Sequence, residues 1–283
     1  MYKRQFRNKE LFRKLWPVDL VDESQDQVRG WFYTLMLCGY STFGERPYGT
    51  VCLNGWTLDE KGEKMSKSLG NVILAKEAYS ELGADLLRLY YCSDVAPWDT
   101  QKFSLRSAND LRRVLNVLWN TYAFIQTYSD SRLIGKKPDH PRTEDRWIQS
   151  RINSLISEVT DNLEEFNFHL AGRSLIDFIL NDLSRWYVKT IRNRVSPWYT
   201  GKDKAPAQCT LYYVLERLVK LLAPVTPFIA EKIYHETFKG ESVHLCEWLK
   251  PDKNAIDKDL EDSMKIVRSL TVSYTHLTLP TKA

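Results

Sequence analysis

The 283 residues carry 43% hydrophobic and 27% charged side chains, a balance that excludes disorder of the whole chain, and a net charge of +4 admits a nucleic-acid partner without requiring one. No apolar run approaches the roughly 20 residues of a membrane span, and the basic start MYKRQFRNKE has no apolar core behind it, so neither a span nor a secretory leader is expected. Five cysteines without a C-x-x-C pair and five histidines without i, i+4 spacing argue against a disulfide framework or a zinc site; the expected metal content is none and the expected compartment is the cytoplasm.

In chain order, Val18-Asp19-Leu20-Val21 behind Pro17 predicts a short strand. Residues 31–43 (WFYTLMLCGYSTF) are apolar nearly all round and predict a buried helix. After the turn Glu45-Arg46-Pro47-Tyr48-Gly49, Thr50-Val51-Cys52-Leu53 predicts a second strand. Strand, helix and strand in this order predict a βαβ unit with parallel strands. Ligands of such units sit beyond the carboxyl ends of the strands, which singles out 22–27 and 54–71.

From about Ser104 the period changes to that of helices. Residues 105–128, 143–163, 168–194, 207–222 and 227–238 each predict a helix, with Thr143 as a candidate N-cap. Leu175, Ile176, Ile179, Leu180, Leu183, Tyr187 and Ile191 share one side of the third. Pro224-Val225-Thr226-Pro227 ends one helix and starts the next, since proline suits a first helical turn. The plan is an α/β segment followed by a bundle of about five helices.

The chemistry-bearing string is Lys64-Met65-Ser66-Lys67-Ser68, bracketed by Gly62 and Gly70. Two lysines three apart on a loop reach over a triphosphate as point charges. A solvated basic turn is the competing reading of any K-x-x-K.

The string KMSKS with Leu69-Gly70-Asn71 resembles the second signature of class I aminoacyl-tRNA synthetases. The segment from Glu23 to Phe32 (ESQDQVRGWF) is similar to the one isoleucyl-tRNA synthetases carry before that signature. GADLLRLY at 83–90, DRWI at 145–148, LSRWY at 183–187 and LAPVTPF at 222–228 resemble the segments that follow, the last three in the anticodon-binding domain. The resemblance covers about 11–270 and is strongest to the archaeal and eukaryotic-cytosolic type. It implies the C-terminal half of a Rossmann-like catalytic domain at 1–104 and a helical anticodon-binding domain at 105–270.

The resemblance also implies roles. Isoleucine and ATP, with Mg2+, form the adenylate, and the isoleucyl group passes to tRNA(Ile). Lys67 contacts the ATP phosphates and Lys64 assists, while Ser66, Ser68 and Gly55 belong to the ATP site. Glu23, Asp26, Gln27 and Trp31 line the aminoacyl-adenylate. From the residues alone, Glu23 and Asp26 read equally as helix caps and Trp31 as core. Arg185, Lys189, Arg192 and Arg194, interleaved with Trp186, Trp198 and Tyr199, suit phosphate contact and base stacking, or else a solvated face over an aromatic core. The family has Gly where this chain has Ser24, and often His-Gly-Phe where it has Asn54-Gly55-Trp56.

No H-x-G-H occurs in the chain, so the first class I signature is absent. The chain therefore reads as an internal fragment that needs the N-terminal half of the same enzyme and is inactive by itself. A non-catalytic tRNA-binding module and a valyl-tRNA synthetase fragment are the alternatives. Alternation at 274–279 would suit a strand, but residues 272–281 are similar to a translated transposon-end sequencing adapter, so 271–283 is set aside from the fold and expected to pack on nothing.

Overall fold

The computed structural model describes residues 7–278, and side chains as far as Thr271. The expectations for the first six residues and for 279–283, and the expectation that the side chains of 272–283 pack on nothing, lie outside the described residues.

The α/β segment begins with helix α1 (Lys9–Leu15), whose first turn is closed by the Asn8 side chain accepting the Leu11 N–H at 3.0 Å. Strand β1 (Val18–Ser24), a 3₁₀ turn (Gln25–Arg29), helix α2 (Trp31–Phe43) and strand β2 (Tyr48–Asn54) follow. β1 and β2 pair in parallel, with Val18 beside Tyr48 and Ser24 beside Asn54. This is the expected βαβ unit, and both strands run slightly longer than their apolar runs. Gly39 of α2 rests on Pro47, where an added Cβ would come within 2.8 Å of the proline ring.

The expectation that α2 is buried is corrected. Phe32 and Gly39 are its buried residues, while Trp31, Tyr33, Leu37, Tyr40 and Phe43 stand exposed. A helix laid on two strands covers one stripe of its surface. An all-round apolar helix needs a second covering layer, which the described residues do not supply.

Short strand β3 (Thr57–Leu58) pairs in parallel with β4 (Gln101–Lys102). Between them lie the KMSKS loop and helices α3 (Ala75–Leu82) and α4 (Ala84–Tyr91). Ala78, Leu82, Leu86 and Tyr90 of these helices form a small core with Phe103 and with Ala108 of α5 (Leu105–Asp110). The helix expected over 105–128 is divided at Leu111 into α5 and α6 (Arg112–Tyr128), and Leu111 packs against both cores.

The bundle continues with α7 (Thr143–Glu164), α8 (Phe168–Asp177), a π-helical stretch (Phe178–Val188), α9 (Lys189–Ile191), α10 (Lys204–Leu222), α11 (Pro227–Phe238) and α12 (Lys258–Thr278). Arg142, rather than Thr143, is the residue before the first turn of α7, and its N–H donates to Asp145 at 3.0 Å. The π stretch has a reason in the spacing. Leu175, Ile179, Leu183, Tyr187 and Ile191 are all buried at intervals of four. At 3.6 residues per turn, four such steps would carry the last side chain about 160° round an α-helix. Under-winding keeps all five on the core. They meet Trp147, Ile148, Ile152 and Leu155 of α7 and Leu211, Leu215 and Leu218 of α10 in one dry core.

The backbone at 274–278 is helical, not extended. α12 is tied to α7 through Glu261, which accepts from Ser150 and Ser154 and pairs with Arg151 at 3.4 Å.

Candidate functional site

The loop from Asp59 to Leu74 has no regular element of its own, apart from a bridge between Leu58 and Lys64. Its shape comes from side chains that fold back on the main chain. Asp59 Oδ1 accepts the N–H groups of Lys61 at 3.0 Å and Glu63 at 2.7 Å, an Asx turn that carries the chain through Gly62 at φ +85°. Asn71 Nδ2 donates to Asp59 Oδ2 at 2.9 Å, and Asn71 Oδ1 accepts the Ser66 N–H at 2.9 Å. The Asn71 hydrogen bond and the N–H donors of its own turn hold the Asp59 carboxyl below its ordinary pKa. Ser66 and Ser68 hydroxyls meet at 3.1 Å, and Ser66 Oγ also accepts the Leu69 N–H at 3.3 Å. Met65 turns inward against the small core. Lys64 and Lys67 remain at the surface, with Lys64 Nζ 4.8 Å from the centre of the Trp56 ring.

Beside this loop, at the carboxyl ends of β1 and β2, lies a cleft of about 560 Å³. Asp22, Ser24, Asn54, Gly55, Trp56 and Asp99 line it, and Asn54 Nδ2 donates to Asp22 Oδ1 at 2.9 Å. Gly55 is set by a close crossing: its N–H donates to the Pro97 carbonyl at 2.8 Å, and a Cβ there would lie 2.0 Å from the Asp99 carbonyl oxygen. Asp22 and Ser24 stand on one face of β1, and strand alternation puts Glu23 on the other.

Asp26, Gln27 and Trp31 form one hydrogen-bonded step. Gln27 Oε1 accepts the Trp31 N–H at 3.0 Å and Gln27 Nε2 donates to Asp26 at 3.2 Å. Gln27, not Glu23 or Asp26, thus caps the amino end of α2. Trp31 is 44% exposed and lines a separate apolar cleft of about 790 Å³ with Phe12, Trp16, Val18, Leu35 and Phe43. The described residues therefore bring Lys64, Ser66, Lys67 and Ser68 together on one loop with Gly55 near by. They leave Glu23, Asp26, Gln27 and Trp31 on an open flank.

In the bundle, Arg185, Lys189 and Arg192 are exposed at spacings of four and three, which makes one stripe. Trp198 is 88% exposed near its end. The expectation for Arg194 is corrected. Its side chain is buried, donating to Glu144 at 2.7 Å and to Asp145 at 2.8 Å, with Asp203 3.0 Å away. It lies in the turn that follows α9, directed inward to these carboxylates, and has no surface to offer a phosphate. Burial and the Asp145 carboxylate push the neighbouring Tyr187 phenol well above its ordinary pKa, which keeps it protonated and donating to Asp145 at 2.8 Å.

Comparison with known proteins agrees along most of the chain. Residues 2–101 match the family described as tRNA synthetases class I (I, L, M and V), and residues 145–274 match the anticodon-binding domain of tRNA ligase. The chain belongs to the class I tRNA synthetases. It is 44% identical to the isoleucine–tRNA ligase of Methanothrix thermoacetophila over 94% of its own length and 26% of the relative's, and 45% identical to that of Pyrococcus abyssi over 93% and 26%. It thus spans about a quarter of the curated relatives it matches.

The synthetase fold is also seen in solved structures. A LeuRS of Agrobacterium radiobacter K84, solved with tRNA and LeuAMS, superposes with a TM-score of 0.67 at 20% identity over 86% of this chain and 30% of the other. The methionyl-tRNA synthetase of Mycobacterium tuberculosis, with methionyl-adenylate, gives 0.66 at 23% over 83% and 49%.

Within this synthetase segment, sequence reasoning singled out 22–27 and 54–71 as ranges but missed the roles of Asp59 and Asn71 and the Asp22–Asn54 pairing. Asp59 had a local signal, since Asp-Glu-Lys-Gly is a turn string. Asp22 and Asn54 meet across two strands and leave no such trace. Among the described residues no three His, Cys, Asp or Glu side chains gather as a metal cluster, and no helix is long and apolar enough to cross a membrane.

Proposed function

We propose that this chain is the part of a cytoplasmic isoleucine–tRNA ligase that carries the second signature loop and the anticodon-binding helices. In this reading residues 1–104 complete the catalytic domain, 105–270 bind tRNA(Ile), and 271–283 are foreign adapter sequence. The observation that supports it above the others is a KMSKS loop with both lysines exposed, in a chain 44% identical to isoleucine–tRNA ligases. Those relatives favour the ligase over a valyl enzyme. The loop favours it over a pure tRNA-binding module, which has no use for phosphate-reaching lysines.

The loop's work is charge placement rather than covalent chemistry. Lys67 meets the ATP phosphates as adenylate forms and Lys64 follows, while Ser66 and Ser68 shape the loop and Gly55, by letting the Asp99 backbone cross close behind it, holds the wall of the nucleotide cleft. Mg2+ would come with ATP as part of the substrate and would neutralise phosphate charge. Glu23, Asp26, Gln27 and Trp31 face the aminoacyl-adenylate once the rest of the catalytic domain covers the open flank of β1, β2 and α2. Arg185, Lys189 and Arg192 meet tRNA phosphates.

The test is isoleucine-dependent ATP–pyrophosphate exchange by the whole ligase that contains this segment. Lys67→Ala is expected to lower kcat by about 10²–10³-fold, the usual cost of losing one preorganised donor to transition-state charge. Exchange at the unmodified rate would overturn the reading. The 283-residue chain alone is expected to show no exchange.

A further inference from the structure

The two signature lysines have no carboxylate partner among the described residues, so their reach depends on the main chain that carries them. Among the described residues, one side chain outside the KMSKS string bonds that main chain. Asn71 Oδ1 accepts the Ser66 N–H at 2.9 Å, and Nδ2 approaches the Lys64 carbonyl at 3.4 Å. It therefore grips the string on both sides of Met65, using the acceptor and the donor of a single amide. Asp59 decides which way that amide points. With Oδ1 filled by the N–H groups of Lys61 and Glu63, Oδ2 is left to take Asn71 Nδ2 at 2.9 Å. A carboxylate accepts only, so it admits the donor end of the amide and turns the acceptor end toward Ser66.

We propose that Asp59 and Asn71 form a clasp that sets the position of Lys64 and Lys67, and that both are positioning residues of the signature loop. The proposal rests on the ligase reading for its effect on rate, though the clasp itself is a property of this chain. Met65, packed against the small core, pins the string at its second residue. The clasp then fixes the two flanking peptide groups, so the lysines leave a rigid base. Such a base matters because a displacement of about 1 Å at a charge-stabilising group costs on the order of a hundredfold in rate.

The chemistry of the pair dictates a swap experiment. Asn71→Asp sets two carboxylates face to face and removes the donor to Lys64. Asp59→Asn sets an N–H donor where either Asn71 or the turn needs an acceptor. In the combined variant Asp59→Asn/Asn71→Asp, the amide introduced at 59 still accepts from Lys61 and Glu63 and donates to the carboxylate introduced at 71. That carboxylate still accepts the Ser66 N–H. In the whole ligase, each single variant is expected to lower kcat for ATP–pyrophosphate exchange by about 10–100-fold with little change in the KM for isoleucine. The combined variant is expected to regain at least about tenfold, as coupled neighbours do in a double-mutant cycle.

A second measurement reads the clasp without catalysis. Trypsin cleaves after Lys64 and Lys67, and in the 283-residue chain each single variant is expected to speed cleavage there while the combined variant slows it again. Single variants at the unmodified rate, or a combined variant no better than either single, would overturn the positioning role. Cleavage unchanged by all three would overturn the clasp. An unmodified ligase without isoleucine-dependent exchange would instead overturn the functional reading, and the rate effect with it.

Discussion

The two halves of the chain bury their apolar residues to very different degrees. In the bundle, helices α7, α8, α10 and the π stretch close on a core in which Trp147, Tyr187, Phe178 and a dozen aliphatic side chains are shut off from solvent. In the α/β segment, Val18, Leu20, Trp31, Tyr33, Leu37, Tyr40, Phe43, Val51 and Leu53 are all substantially exposed. The compositions of the two halves do not differ in kind; their layering does. Helices can enclose one another within a single segment, whereas a parallel two-stranded sheet needs cover on both faces. The bundle is thus a finished core, and the α/β segment is a set of faces awaiting cover.

The sharpest way to break that comparison is to separate the halves. Residues 105–271 expressed alone are expected to keep a single cooperative thermal transition with helical circular dichroism, and residues 7–104 alone to show none. A cooperative transition in the smaller piece would remove the contrast. A smaller effect is expected from the buried ion cluster of the bundle. Arg194→Ala, which leaves the fully buried Asp145 without its cation while Asp203 keeps Arg142, costs about 3 kcal/mol. Arg192→Ala, one stripe away on the surface, is expected to change stability by less than about 0.5 kcal/mol. Equal denaturation midpoints for the two variants would show that Arg194 is no part of the core.

A cost well below that of Arg194→Ala is expected where the halves join. Asp85 of α4 accepts the Phe228 and Ile229 N–H groups at 3.1 and 2.7 Å, capping α11 from outside, and Arg88 one turn later donates to the carbonyls of Pro224 and Val225. Asp85→Ala removes a helix cap and is expected to cost about 1 kcal/mol in chemical denaturation of the whole chain. In the isolated bundle, which lacks Asp85, the same end of α11 is expected to fray.

Much of this was legible in the residues. The βαβ unit follows from two apolar runs about a helix, and the KMSKS loop announces itself. The Pro227 start of α11 needed only the rule for a first helical turn. What was hidden depended on partners far apart in sequence. Arg192 and Arg194 look alike in the string, because nothing local says that Glu144 and Asp145, some fifty residues earlier, stand beside one and not the other. The exposure of Trp31 was hidden for the opposite reason. Its surroundings are as apolar as any core, and periodicity reports what a helix could bury rather than what arrives to cover it. The π stretch was written in the four-residue spacing from Leu175 to Ile191, but a spacing of four also fits one face of an α-helix over a shorter run.

The segment from Cys92 to Asp99 runs between two glycines. A Cβ on Gly172 of α8 would lie 1.8 Å from the Cys92 carbonyl oxygen, and a Cβ on Gly55 would lie 2.0 Å from that of Asp99. Backbone therefore bears directly on backbone at both ends of the connecting strip, one end against the bundle and the other against the signature cleft. In mechanical terms these are two seats of a hinge machined without clearance. One methyl group in either seat is a shim: backbone would have to move to admit it, tilting the strip and with it the signature cleft against the bundle.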